Sequence, residues 1–145
     1  MPIDSALTRY SYLSPSSEPM FSVANENGLQ VSATSKASFN SVLVNPENAW
    51  STSLNRFVVP ATGLYEFNVS LLSASPDNTG FYYEFRKNGS AMTLGTYPRG
   101  YTRMQYTANT ASGVMQLLSS DYIEVWITGG TMHSYHCFFS CKKVG

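Results

Sequence analysis

A chain of 145 residues is long enough for one domain with a sizeable core, burying roughly 70% of the surface its unfolded form exposes. Charged residues make up only 12% and balance at nine of each sign, so no electrostatic footprint points to nucleic acid or to an anionic membrane surface. Aromatic residues reach 14%, with ten Tyr and eight Phe, which suits an all-β binding or assembly module.

Residues 1–19 hold three prolines and several serines without helical or strand period. They are expected to form an extended arm, separate from a domain over residues 20–145, whose Ile3, Leu7, Tyr10, Tyr12 and Leu13 order on a partner. The first nine residues lack the basic start and continuous apolar run of a secretory signal, and no later apolar run is long enough to insert in a bilayer as a helix. Synthesis in the cytoplasm is the expectation, with a secreted chain as the alternative.

From Met20 onward short β-rich runs alternate with turn clusters, and no amphipathic helix of ten or more residues is visible. Strands are expected near 20–24, 37–44, 55–59, 63–73, 80–88, 103–108, 113–119, 121–128 and 134–143. Such spacing favours a sandwich or jelly roll. The most informative stretch runs from Arg56 to Val69: Phe57 and Val59 share one side of a strand, and Tyr65, Phe67 and Val69 share one side of the next. Between them Pro60 cannot donate to a ladder and Gly63 tolerates backbone angles other residues avoid, so the chain turns a corner.

Phe81, Tyr83 and Phe85 alternate with Tyr82, Glu84 and Arg86, giving one core face and one wet or interfacial face. Asn88-Gly89 then predicts a tight type I′ hairpin, because both residues accept positive φ. Asp77-Asn78-Thr79-Gly80 and Gly129-Gly130 punctuate two further strand ends. In the run after Asp121, Ile123, Val125 and Ile127 oppose Tyr122, Glu124 and Trp126, which leaves a large indole on the face a lone sheet would turn to water. Such a ring packs against a loop or a neighbouring subunit.

The chemistry-bearing residues are few. Cys137 and Cys141, four residues apart on a strand, stand roughly 13 Å apart, beyond the ~7 Å limit of a disulfide. Free buried thiols fit a reducing compartment. His133, His136 and the two cysteines look like zinc ligands, but successive residues His136 and Cys137 point to opposite faces of a strand, so no metal site is expected. Acidic residues are scattered, and Asp77-Asn78-Thr79 is the one loop to inspect for calcium. Two histidines beside the last strand do not make a nucleophile, base and orienting acid, so no catalytic residue and no cofactor are assigned. The best exposed-contact candidate is the Tyr- and Arg-rich passage of Tyr97, Arg99, Tyr101 and Arg103.

Taken in order, Phe21-Ser22-Val23, Phe39-Asn40-Ser41-Val42, Asn48-Ala49-Trp50, the Pro60-x-x-Gly63-x-Tyr65-x-Phe67 corner, Phe85-Arg86-Lys87-Asn88-Gly89, Asp121-Tyr122-Ile123-Glu124-Val125 and Phe138-Phe139-Ser140-Cys141 resemble the globular head of the complement C1q-like family. That family shares its fold with the tumour necrosis factor ligands, and the resemblance covers residues 20 to 144. Two positions depart from its pattern: Ser120 stands where a Gly usually precedes the Asp, and Cys141 where the last strand has a Gly. These 145 residues contain no Gly-X-Y repeat, so no collagen-like stalk is expected.

The resemblance implies a ten-stranded jelly roll assembled as a homotrimer around a threefold axis, with Tyr122 and Trp126 as interface candidates. It implies no single ligand. With the arm, this suits a non-enzymatic decoration or cement protein of a viral, bacteriophage-type capsid, binding a major capsid protein or another virion protein. A receptor-binding knob of a phage fibre, recognising a host-surface receptor, is the alternative, and a secreted C1q-like recognition protein a third.

Overall fold

The computed structural model describes residues 18–92 and 99–145, with side chains described from 18 to 92 and from 102 onward. Its strands are β1 (Glu18–Asn25), β2 (Val31–Ser32), β3 (Ser35–Lys36), β4 (Ser41–Val44), β5 (Trp50–Ser51), β6 (Arg56–Val58), β7 (Gly63–Leu72), β8 (Phe81–Lys87), β9 (Ser90–Ala91), β10 (Arg99–Thr102), β11 (Ala108–Leu117), β12 (Tyr122–Gly129), β13 (Thr131–Met132) and β14 (Cys137–Lys143). They build a jelly roll of two main sheets. One is ordered β11-β7-β14-β1-β4; the other is ordered β10-β8-β12-β6-β5, with β3 and β9 added beside β12 and β8. β2 and β13 form a separate two-stranded pair.

Period-two patterning decides which side chains face the space between the sheets. Tyr65, Phe67, Val69 and Leu71 from β7 meet Phe81, Tyr83 and Phe85 from β8 and Ile123, Val125 and Ile127 from β12, all at or near zero exposure. An aromatic cluster forms the centre. The Phe139 ring lies 4.9 to 5.9 Å from those of Phe21, Phe39, Trp50, Phe67 and Phe85. Cys137 and Cys141 point inward from the same strand as free buried thiols, and burial pushes Cys137 up to about 11, so it is a thiol at neutral pH.

The corner after β6 forms where expected, but Gly63 opens β7 outside the positive-φ region; a Cβ there would lie 2.5 Å from the Gly145 carbonyl oxygen, so close approach of the C-terminal residue, not a special backbone angle, calls for glycine. Tyr65 is wholly buried, yet its hydroxyl donates to the Ala61 carbonyl, so the ring fills the core while its polar tip locks the turn. The β8–β9 hairpin carries Asn88 and Gly89 at φ 54° and 85°, the positive angles of a type I′ turn. Asn88 also joins this turn to β12, donating to Asp121 Oδ1 and accepting from the Tyr122 amide, each at 2.9 Å.

Two expectations need correction. Residues 103–107 are not a strand: the strand there is β10, ending at Thr102, and the chain then turns with Tyr106 at φ 57°. Asp77 Oδ1 accepts from the Gln105 amide, and Arg103 donates to the Asn78 carbonyl. Side-chain bonds from the facing loop thus replace the ladder that the alternation in this run suggested. The following strand begins at Ala108 rather than 113.

Gly130 sits at φ 75°, and a Cβ there would lie 2.5 Å from the Gly80 carbonyl oxygen. Gly130→Ala therefore combines an unfavourable backbone angle with a backbone clash, and should cost at least about 2 kcal/mol. Urea unfolding should show a lower midpoint with an unchanged slope.

Candidate functional site

The outward faces of the two sheets differ in how much of their chemistry is satisfied within the chain. On the five-stranded sheet the residues that alternate with the core ones are Leu64, Glu66 and Asn68 of β7, Thr110, Ser112, Val114 and Gln116 of β11, and Phe138, Ser140 and Lys142 of β14. Val114 is 54% exposed and Phe138 46%. These apolar side chains stand among small polar ones, and the single ion pair on this face among the described residues, Lys142 with Glu66, is 4.0 Å long. Exposed aliphatic and aromatic side chains sharing a face of this kind mark an interaction surface.

A trough runs along β1 between β4 and β14. Two adjoining hollows of about 540 and 270 Å³ share Ser22 as a wall. The upper is floored by Ala24, Leu43 and Phe138 and rimmed by Glu26, Tyr135 and His136; the lower is walled by Pro19, Val44 and Lys142. A register shift in the β1–β4 pairing pairs Ser22 with Val44 and Val23 with Val42, and skips Leu43. The bulge turns Leu43 and Val44, neighbours in sequence, toward the same side. At the upper end, buried Asn25 donates to the Leu29 and His133 carbonyls and holds the two loops together.

The seven-stranded sheet is different. Glu124, only 2% exposed, receives Lys36 Nζ at 3.0 Å, Arg56 Nη2 at 2.7 Å and Nε at 2.9 Å, and the Trp126 indole N–H at 2.9 Å. The Arg56 guanidinium covers the Tyr122 ring at 4.0 Å, and that of Arg86 covers Trp126 at 4.2 Å while pairing with Glu84 at 3.2 Å. The Tyr122 and Trp126 rings are each covered by an arginine of the same chain, while Tyr82 and Val58 on this face stay 45% and 40% exposed.

This network predicts a pH dependence. Burial pushes the Glu124 carboxyl up, but the hydrogen bonds from Trp126, Lys36 and Arg56 outweigh it and hold the group below the ordinary carboxylate value. A lowered folded value means that the charge stabilises the fold at every pH above the unfolded value. That contribution is lost as pH falls through the folded one. Lys36 and Arg56 are about a quarter exposed, which screens the loss, so Glu124→Gln should cost about 1–3 kcal/mol at pH 7. The gap between variant and wild type should narrow as pH falls below the ordinary carboxylate range; denaturation at neutral and at acid pH checks it.

The pattern of these strands matches one family model, that of the C1q domain, over residues 20–140. The chain belongs to the C1q family. In three dimensions it is similar to the globular domain of zebrafish complement 1qA protein, with a TM-score of 0.70 at 13% identity over 88% of this chain and 98% of that one. It is also similar to Eiger TNF from S. frugiperda (0.64, 15%, 89% and 93%) and to murine APRIL at pH 5.0 (0.59, 16%, 85% and 98%). At these identities the likeness concerns the fold.

In this C1q domain the residues singled out from sequence are not brought to one place. Ile3, Leu7, Tyr10, Tyr12, Leu13 and Tyr97 lie outside the described residues. Arg99 and Tyr101 are on β10, paired with Glu84 and Tyr82, and their side chains are outside the description. Arg103 is exposed in the turn pinned to the Asp77 loop. Tyr122 and Trp126 lie on the seven-stranded sheet, each beneath an arginine of the same chain.

His133 and His136 sit at one end of the sandwich. His133 Nδ1 accepts from the Tyr135 amide, and its ring lies edge-on to Tyr106. His136 takes φ 59° beside the trough. Among the described residues no three of His, Cys, Asp and Glu converge as a metal-holding group. Sequence reasoning missed the trough, because Val44 joins Leu43 on the outward side only through the bulge, and alternation alone assigns a bulged strand wrongly.

Proposed function

We propose that the chain is a non-enzymatic binding module that works as a homotrimer, built by packing the outward faces of the five-stranded sheets. The observation that carries this is the contrast between the faces: Leu64, Val114 and Phe138 are exposed on one, while the aromatic rings of Tyr122 and Trp126 on the other are covered within the chain. Membership of a family whose relatives usually assemble in threes supports the same stoichiometry. The Tyr122 and Trp126 face then stays outside the trimer contact.

The finer reading is decoration of a larger particle, a viral capsid of bacteriophage type, with the major capsid protein as partner and residues 1–17 as tethers. Its support is the apolar content of that segment, Ile3, Leu7, Tyr10, Tyr12 and Leu13, ahead of a domain that starts at Glu18. Three such segments on one trimer act at a shared effective concentration, so individually weak contacts sum to firm attachment. Co-sedimentation with purified capsid shells tests it. Full-length protein should pellet with the shells, and a chain beginning at Met20 should stay in the supernatant while remaining trimeric. Equal binding of both would overturn the tether.

A further inference from the structure

The turn between β10 and β11 holds Met104 and Tyr106, 63% and 64% exposed, as an apolar knob with Arg103 at its base. Tyr106 prolongs the β11 column of the sheet, its amide donating to the Ser73 carbonyl just beyond β7. The trough is the concave counterpart: Leu43 and Phe138 lie open in its floor, and Glu26 stands at its rim. Neither Arg103 nor Glu26 has an ion pair among the described residues.

We infer that the knob of each chain seats in the trough of the next, with Arg103 opposite Glu26, and that this contact, repeated three times, closes the trimer. The contact rests on the homotrimer proposed above and names the surfaces that meet in it. Threefold association is head-to-tail, so a patch on one copy has to fit a different patch on its neighbour. To close a ring instead of a filament, the two patches must stand at one height along the axis. Both lie at the end away from Glu18 and Gly145. β1 climbs from Glu18 to Asn25 beside the trough, and β7 climbs from Gly63, next to which Leu64 is bonded to Gly145, to Leu72 below the knob. The patches must also sit on opposite flanks. In the order β11-β7-β14-β1-β4 the knob tops the first strand, and the trough follows the last three.

Backbone angles single out the same two surfaces. Five of the eight described non-glycine residues at positive φ are Asn, which tolerates that region, and Ser120 is small; Tyr106 at 57° and His136 at 59° are the ring-bearing exceptions. One is on the knob and the other at the trough, so strained backbone presents a ring on each half of the contact. The chemistry matches as well, with apolar side chains at the centre and one cation against one anion at the rim.

Light scattering on charge-reversed variants is the test, with circular dichroism to follow folding. Arg103→Glu and Glu26→Arg should each raise the dissociation constant of the trimer at least tenfold, and the double variant should restore it. Within one chain the two residues top columns three strand spacings apart, roughly 14 Å, so rescue reports a contact between copies. Tyr106→Asn suits the backbone angle and removes the ring, and it should dissociate the trimer while the monomer stays folded. Single variants as tightly trimeric as wild type, or a double variant no more trimeric than the singles, overturn the inference and leave the homotrimer standing. A monomeric wild-type chain removes the homotrimer itself, and this contact with it.

Discussion

Replacing Phe139 with alanine is expected to lower stability by about 3–5 kcal/mol, the range for emptying a large aromatic site in a packed core. The ring is wholly buried and stands within 6 Å of five other aromatic rings contributed by both sheets. Those partners belong to β1, β5, β7, β8 and the segment before β4, so no single element can move in to fill the space. At this chain length the loss corresponds to a melting temperature roughly 10–15 °C lower. Phe139→Leu keeps most of the volume and should cost much less. Both melts must be run at one protein concentration, because assembly adds to apparent stability. A Phe139→Ala protein that melts within a few degrees of wild type would mean that the two sheets do not share this core.

Val114→Glu is expected to convert the trimer to monomer while leaving the fold intact. In the isolated chain Val114 is more than half exposed, and a surface substitution of that kind normally changes stability by less than about 0.5 kcal/mol. In the proposed trimer, with three five-stranded sheets packed together, the same position would be buried and an unpaired carboxylate there costly. Phe138→Ser should act in the same direction through lost apolar contact. Leu54→Asp is the control, since Leu54 is 50% exposed in the turn between β5 and β6 of the other sheet and should leave the mass unchanged. Far-ultraviolet circular dichroism separates dissociation from unfolding.

The fold was largely legible because its signals are local. Alternation in 63–72, 81–87 and 122–129 sorted core from surface, and Pro60, Asn88 and Gly89 marked turns that chemistry requires. Where the reading failed, side chains from distant segments decided the backbone. The turn at 103–107 depends on Asp77 and Asn78, about 25 residues away, and nothing within the turn announces them.

The site was legible only in part. Alternation put Tyr122 and Trp126 on an outward face, but their arginine covers come from β6 and β8 and emerge only after the sheet is assembled. Glu124 reads as one more surface acid until Lys36, 88 residues away, and Arg56, 68 residues away, are placed beside it. Exposure of Val114, Leu64 and Phe138 likewise depends on which strands are neighbours, and sequence spacing does not encode that.

Light scattering on the full-length protein at micromolar concentration tests the central claim most directly. A homotrimer of 16.0 kDa chains gives a solution mass of about 48 kDa, and a chain beginning at Met20 should remain trimeric as well. A mass of 16 kDa for the full-length chain would contradict the account, leaving the exposed face of the five-stranded sheet without its partner.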